Sequence, residues 1–252
     1  PEARKLYEEA RAMLAEIVSG KLLRARGVFG IFPARAHGED IVVYEDETHG
    51  TKLATFHGLR QQTLPGAPGG KCLALGDIID DHVAVFAVST GFGLAELIEK
   101  FRSRSRCDAQ IMAEALAMRL AEAFSECLHE DVLKHYWQLD TQEEGFSSVR
   151  PAFGYPHQPD HSEKVVAWKL LDVEKRTGIT LTESWMMDPV TSCSGLIAVS
   201  PRAQYFTLGP IDTDQVADYA KRKGIKISEA NKLLATAHAD PVSAELAEFV
   251  VL

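Results

Sequence analysis

Apolar residues three and four positions apart predict helices near both ends of the chain and in its middle. In residues 2–20 the apolar side chains fall on one helix face, and Gly20 marks the end of that helix. Further helices are predicted at 107–136, 162–177, 214–223 and 228–234.

Short runs of β-branched and aromatic residues predict the strands. The first run, 26–34, is expected to end at Pro33, and the connection to the second run, 41–45, is short enough for a hairpin. Other strands are predicted at 83–89, 194–199 and 204–208. Strand pairs separated by helices, without regular β-α-β alternation, favour a single α+β domain with a mostly antiparallel sheet.

One carboxylate interrupts the apolar pattern of the long central helix. Ile111, Ala115 and Met118 share a helix face with Glu122. A carboxylate on an apolar stripe needs water, a cation or a hydrogen-bond donor. Glu122 is therefore either an edge residue that reaches solvent or a residue with a binding role.

Composition and charge narrow the class of protein. With 252 residues, 46% hydrophobic and 25% charged, the chain is an ordinary globular one. A net charge of −9 argues against nucleic acid as the main partner, and no apolar run is long enough to span a membrane. The four cysteines include no Cys-x-x-Cys pair, which favours reduced thiols and a cytoplasmic location.

Two motifs depart from the pattern that their chemistry needs. The glycine-rich segment 65–71 has Pro65 where a phosphate-binding loop needs glycine, and Cys72 where it needs serine or threonine. His157, Asp160 and His161 could bind a metal, but Pro159 prevents the two histidines from sharing a helix face. No metal is therefore predicted, and a metal-dependent hydrolase is kept only as a remote alternative.

The segment from Arg150 to Pro156, Arg-Pro-Ala-Phe-Gly-Tyr-Pro, carries the most suggestive chemistry. An arginine fork matches a carboxylate, a glycine lets the backbone approach a ligand, and a tyrosine offers a flat face with a polar tip. This set suits a small ligand with a carboxylate at one end and a flat base at the other. Taken alone, however, the segment is more typical of an ordinary proline-glycine loop.

Ordered blocks across the chain resemble one family. They are 26–34, 46–48, 59–62, 119–124, 128–130, 150–155, 163–164, 181–184, 214–220 and 222–224. Together they are similar to the C-terminal activation domain of cobalamin-dependent methionine synthase. The resemblance implies a C-shaped α+β domain over residues 1–252, with helices flanking a bent, mostly antiparallel sheet. It also leads us to expect that the helices which begin the family's domain, and an aspartate on them that contacts the ligand, are missing from this chain.

The same resemblance implies a function. The domain binds S-adenosylmethionine and presents its methyl group for the reductive methylation, and so reactivation, of cob(II)alamin. The cobalamin belongs to another module of the same polypeptide, and the electron comes from a flavodoxin or a flavoprotein reductase. The chain would thus be part of a larger methyltransferase and not catalytic alone. In the alternative, it is a docking module for the cobalamin domain and the reductant, with weak or no ligand binding.

Candidate ligand contacts follow from residues and resemblance together. Arg150 is expected to bind the carboxylate, and the backbone at Ala152 and Gly154 to make polar contacts with the adenosyl part. The side chains expected to complete the site are Tyr155, which would stack on or position the ligand, Tyr205 on the later strand, and the carboxylates Glu122 and Glu144. No catalytic residue is expected, because a sulfonium is already a good leaving group. Lys221, Arg222 and Lys223 form a candidate basic patch for an acidic flavoprotein, with a solvated helix end as the alternative.

Overall fold

The computed structural model describes residues 2–62, 71–103, 107–138 and 147–235. Glu144 and most of the glycine-rich segment 65–71 lie outside these ranges. The helices are α1 (Glu2–Ser19), α2 (Leu94–Arg102), α3 (Cys107–Asp131), α4 (Lys164–Leu171), α5 (Val173–Thr177), α6 (Thr213–Lys223) and α7 (Ile227–Leu233). The strands are β1 (Arg24–His37), β2 (Asp40–Tyr44), β3 (Lys52–Phe56), β4 (His82–Phe92), β5 (Ser148–Val149), β6 (Thr180–Leu181), β7 (Met187–Asp188) and β8 (Ser192–Val199).

Six of the strands form one sheet in the order β3-β2-β1-β4-β8-β5, and β6 pairs with β7 separately. The pairs β1–β2, β2–β3 and β5–β8 are antiparallel. The predicted hairpin is confirmed, with His37 opposite Asp40 at its end. In β4, every residue from Val83 to Val88 is fully buried, so its apolar run is continuous and does not alternate. The α+β class with a mostly antiparallel sheet is confirmed.

The described chain divides into two compact units. The first comprises residues 1–29, 86–143 and 171–194, and the second comprises 30–85, 144–170 and 195–252. In the first unit, α1, α2 and α3 share a core that includes Ile17, Leu97, Phe101 and three alanines of α3, namely Ala109, Ala113 and Ala117. In the second, α6 and α7 pack through Tyr219, Ala230 and Leu234. None of the described helices has the length and apolar character needed to span a membrane.

Two of the predicted strands differ from the structure. β1 does not end at Pro33 but continues to His37. Its pairing with β2 begins at Ala34, so the missing N–H of Pro33 removes no bond from that ladder. Residues 204–208 form no strand, because they join no ladder. Instead, the N–H of Leu208 donates to the carbonyl of Pro156 over 3.4 Å.

The helix predictions hold with two adjustments. α3 gives way to a π-helical turn over Val132–Tyr136, and the helix predicted at 162–177 is divided into α4 and α5 at Asp172, whose φ is +51°. The stripe that contains Glu122 is not a core face. The buried face of α3 is a row of alanines, whereas Ile111 and Met118 are 65% and 57% exposed and Glu122 is exposed. The Glu122 side chain thus reaches solvent, and its binding role stays a prediction.

Candidate ligand-binding site

Strand β8 fixes the start of the candidate loop. Arg150 follows β5, and the next carbonyl, that of Pro151, accepts a hydrogen bond from the N–H of Leu196 over 2.9 Å. Ala152 then forms an antiparallel bridge with Gly195. A Cβ on Gly195 would lie 2.2 Å from the Pro151 oxygen, so only glycine allows this approach. The start of the loop is therefore held by the sheet backbone, and Phe153 adds a buried ring that stacks on Phe56 at 5.6 Å between centroids.

Gly154 supplies the sharp turn of the loop. Its φ of +90° is a conformation that side-chain-bearing residues avoid, and a Cβ there would lie 2.3 Å from the ring of His161. The Gly154 N–H donates to the backbone carbonyl of Gln158 over 2.8 Å, and the Gln158 N–H donates to the backbone carbonyl of Tyr155 over 2.8 Å. The N–H of Gly154 is thus used within the turn. The predicted polar contacts of Ala152 and Gly154 with a ligand remain predictions.

Two tyrosines from distant parts of the chain meet at this loop. Tyr155 is 47% exposed and Tyr205 is 63% exposed. The Tyr205 hydroxyl accepts a hydrogen bond of 2.8 Å from the backbone N–H of Arg150, a residue whose side chain is half-buried. Arg150, Tyr155 and Tyr205, three of the predicted site residues, are thus brought together in the second unit. Tyr205 lies on an irregular segment and not on the strand that was predicted for it.

Sequence reasoning missed the contribution of His157 to this cluster, because it weighed this residue only as a metal ligand. The His157 ring stacks near Tyr155, at 6.2 Å between centroids, and lies 6.3 Å from Tyr205. Burial lowers the pKa of His157 to about 4, although a hydrogen bond with the backbone of Ala152 acts in the opposite direction. The ring is therefore neutral at physiological pH. The signal available in the sequence was an aromatic ring two positions after Tyr155.

A buried ion network underlies the loop. Lys223 lies in contact with the carboxylates of both Asp160 and Glu163, at 2.6 Å from Asp160. The hydroxyl of Tyr219 donates to Asp160 over 2.6 Å, and the backbone N–H of His57 donates to Glu163 over 2.8 Å. Burial would raise the pKa of Asp160, but Lys223, the Tyr219 hydroxyl and the N–H of Ser162 hold it below its usual value. Asp160 is thus committed to structural partners.

The metal alternative finds no support in this arrangement. Within residues 2–62, 71–103, 107–138 and 147–235, no group of three histidine, cysteine or acidic side chains is placed to hold a metal ion. His161 accepts a hydrogen bond from Lys164, while Asp160 binds Lys223. The three residues of the hydrolase hypothesis therefore have separate structural contacts.

The candidate basic patch at the end of α6 is wrong for two of its three residues. Lys223 is paired with the buried carboxylates, and Arg222 contacts Asp40 and Asp218 and donates to the Gly58 carbonyl over 3.1 Å. The cause is that α6 turns this face toward acidic groups of its own unit. Only Lys221 remains exposed and without an ion pair among the described residues.

The two predicted acidic contacts are not tested by this geometry. Glu122 belongs to the first compact unit, whereas Arg150 and both tyrosines belong to the second. Glu144 lies outside the described residues. Both carboxylates therefore stay predictions.

The arginine, the two tyrosines and the glycine turn that lie together next to β8 are the groups expected of a small-molecule binding domain. The sequence matches, over residues 1–224, the family described as vitamin B12 dependent methionine synthase, activation domain. The chain belongs to this family. It is also similar to a solved structure, the crystal structure of the MetH reactivation domain bound to AdoHcy. The two chains are 39% identical with a TM-score of 0.87, over 95% of this chain and 78% of that one.

Gly154→Ala should destabilise the second unit more than the same change at Gly209. Both glycines have positive φ, but a Cβ at Gly209 would meet nothing within 4 Å, whereas at Gly154 it would strike His161. We expect a loss of about 1–3 kcal/mol for Gly154→Ala and about 1 kcal/mol for Gly209→Ala. Urea unfolding followed by circular dichroism measures both. Equal losses of stability in the two variants would show that the His161 ring can move aside without an energetic cost.

Proposed function

We propose that this chain binds S-adenosylmethionine and presents its methyl group for the reductive methylation of cob(II)alamin. The observation that carries the proposal is the hydrogen bond between the Arg150 N–H and the Tyr205 hydroxyl. It joins two segments that each supply a predicted ligand contact. The bound AdoHcy of the similar structure supports the same chemistry, because AdoHcy is what S-adenosylmethionine becomes when its methyl group leaves.

The residues present fit the parts of this ligand. The Arg150 guanidinium suits the carboxylate, and the exposed faces of Tyr155 and Tyr205 suit the adenine. Gly154 carries no side chain of its own that would keep a ligand from the backbone of the turn. The imidazole beside the two tyrosines is neutral and adds no positive charge near a sulfonium.

The proposed role requires binding and aiming, and no proton transfer. The sulfonium supplies an activated methyl group, and the cobalamin of the other module supplies the nucleophile, so alignment decides the rate. Arg150 would hold one end of the donor while the tyrosines orient the other. For this reason we propose that the chain works as part of the larger methyltransferase and is not catalytic alone.

Arg150→Ala is expected to weaken binding of S-adenosylmethionine by roughly 1.5–3 kcal/mol, which is the loss of a charge-assisted hydrogen bond. Isothermal titration calorimetry measures this change. Arg150→Lys keeps the charge and loses the fork, so it should recover part of the loss. Unchanged affinity in Arg150→Ala would remove Arg150 from the site.

A docking module with no ligand is the competing function. It predicts no heat when the folded chain is titrated with S-adenosylmethionine or AdoHcy up to about 1 mM, a concentration that detects even weak binding. Retained binding to a cobalamin-loaded partner module under the same conditions would favour this alternative. Saturable binding of both ligands would exclude it.

A flavodoxin or flavoprotein reductase is the proposed electron donor, and a basic surface on the first unit suits it. Lys21, Arg24, Arg26 and Lys100, here called the α2 basic cluster, surround a cavity of about 540 Å³ that also contains Glu96. Among the described residues, Lys21 and Arg24 make no ion pair. The partner of Lys100 is an exposed Glu16 at 3.9 Å. Such a surface is unusual on a chain of net charge −9 and attracts an acidic protein.

Charge reversal tests this surface. The double variant Lys21→Glu with Arg24→Glu should bind a flavodoxin at least about tenfold more weakly at low salt, with the difference shrinking as ionic strength rises. Lys221→Glu is the matched control, because it changes an exposed lysine of the patch that was first predicted. A loss in the control alone would place the reductant at the end of α6. Equal binding by all three proteins would exclude both surfaces.

A further inference from the structure

His157 occupies the centre of the cluster proposed to hold the ligand. Its side chain is 7% exposed, while the tyrosines on either side are 47% and 63% exposed. Its ring centroid lies 6.2 Å from that of Tyr155 at an interplanar angle of 25°, and 6.3 Å from that of Tyr205 at 51°. These separations fall within the range over which aromatic pairs attract. His157 thus forms a buried support between two exposed rings.

Backbone contacts tie the same residue to the rest of the loop. The imidazole hydrogen-bonds with the backbone of Ala152, and the carbonyl of Pro156, the residue before it, accepts from Leu208. The Tyr205 hydroxyl in turn accepts from the N–H of Arg150. Neither tyrosine is buried, because their side chains are 47% and 63% exposed. The ring of His157 therefore limits how far either can move.

The character of the imidazole suits a cationic ligand. Because the ring is buried, its pKa lies well below the ordinary value of histidine, and it carries no charge at neutral pH. A protonated ring between the tyrosines would repel a sulfonium. The Nε2 atom of His157 is buried and has no hydrogen-bond partner in the described structure. Polar contacts alone therefore do not explain why this ring lies here.

We propose that His157 is a positioning residue of the S-adenosylmethionine site, which acts by holding Tyr155 and Tyr205 in place for the ligand. The inference rests on the proposed function, but it concerns a residue to which no polar contact with the ligand is assigned. It gives this buried ring a part in orienting both tyrosines, beside the hydrogen bond from the Arg150 N–H that also holds Tyr205.

The test compares His157→Ala and His157→Phe in the complete chain, with AdoHcy and S-adenosylmethionine as calorimetric probes. His157→Ala removes both ring contacts and should weaken binding about tenfold. His157→Phe keeps a ring at the same place and should recover affinity to within about threefold of the parent protein. Affinity unchanged in His157→Ala would overturn the inference. So would an equal loss in both variants, because a ring alone would then be insufficient.

Two further measurements separate positioning from general damage. Near-ultraviolet circular dichroism of the unliganded protein should change in the tyrosine region for His157→Ala, while the far-ultraviolet spectrum stays the same. In a Tyr155→Ala background the effect of His157→Ala on binding should shrink, since residues in contact are energetically coupled. A loss of the same size in that background would refute the action through Tyr155. If the parent protein binds neither probe, the proposed function itself fails, an outcome distinct from parent binding without any effect at His157.

Discussion

Replacing Lys223 by methionine should destabilise the protein by about 3–5 kcal/mol at neutral pH, the largest effect that we expect from a single substitution. Asp160 and Glu163 are almost completely buried, and Lys223 contacts both carboxylates. Methionine fills a similar volume but leaves two buried negative charges without their cation. The loss should narrow as the pH falls, since without Lys223 the burial of Asp160 raises its pKa and favours the uncharged carboxyl. Urea unfolding at several pH values measures the difference.

Lys221→Met is the matched control for this variant. Lys221 lies on the same helix two residues earlier and is exposed, so its replacement should change the free energy of unfolding by less than about 0.5 kcal/mol. A loss of less than about 1 kcal/mol in Lys223→Met would mean that the two carboxylates do not depend on this lysine as their cation. That result would contradict the role assigned to the ion network.

The contrast between these lysines shows where sequence reasoning stops. Lys221, Arg222 and Lys223 are indistinguishable in the sequence as a basic helix end, yet one is exposed and one lies in a buried network. The difference depends on Asp160 and Glu163, which are 63 and 60 residues away. Nothing local in the chain specifies such pairs. Burial of a charged side chain is therefore a property that only the assembled fold reveals.

Local signals predicted most of the fold. Helical spacing located α1, α3 and α6, and the hairpin between β1 and β2 followed from its short connection. The strand predicted at 204–208 was wrong because residues with strand propensity form a strand only beside a partner strand. This segment instead contacts the loop by the backbone hydrogen bond from Leu208 to Pro156. α2 and β3 were missed altogether. The prediction thus succeeded where neighbours in sequence decide the structure.

The site residues show the same difference between what a short segment of sequence indicates and what only distant residues decide. Arg150, Gly154 and Tyr155 were predicted because their chemistry is concentrated in one short segment. Tyr205 came only from the family resemblance, since 55 residues separate it from Arg150. Gly195, whose missing side chain lets Pro151 approach, carried a readable sign as a glycine inside a predicted strand. The supporting residues of the site were less predictable than its candidate contacts.

Acid should weaken the fold between pH 6.5 and 4, and His157 should account for about 3 kcal/mol of that loss. Burial lowers the pKa of His157 from 6.5 to about 4, so the unfolded chain takes up a proton in this window that the folded chain refuses. The stabilisation is complete above pH 6.5 and is lost progressively as the pH falls toward 4. The ordinary pKa of an aspartate is already below that of a histidine, and the pKa of Asp160 is lowered further. The stability that the Asp160 carboxylate contributes is therefore lost only below this pH window.

His157→Phe isolates this effect, because phenylalanine keeps a buried ring and cannot be protonated. Free energies of unfolding from urea titrations at pH 7, 6, 5 and 4.5 should fall more steeply for the parent protein than for the variant. The pKa of His161 is also lowered by burial and by Lys164, so some slope should persist in the variant. His135→Phe, at a histidine whose side chain is 72% exposed, should leave the parent slope intact. Parallel curves for the parent protein and His157→Phe would mean that the His157 ring is accessible to protons in the folded state, which would contradict its place as a neutral support between the two tyrosines.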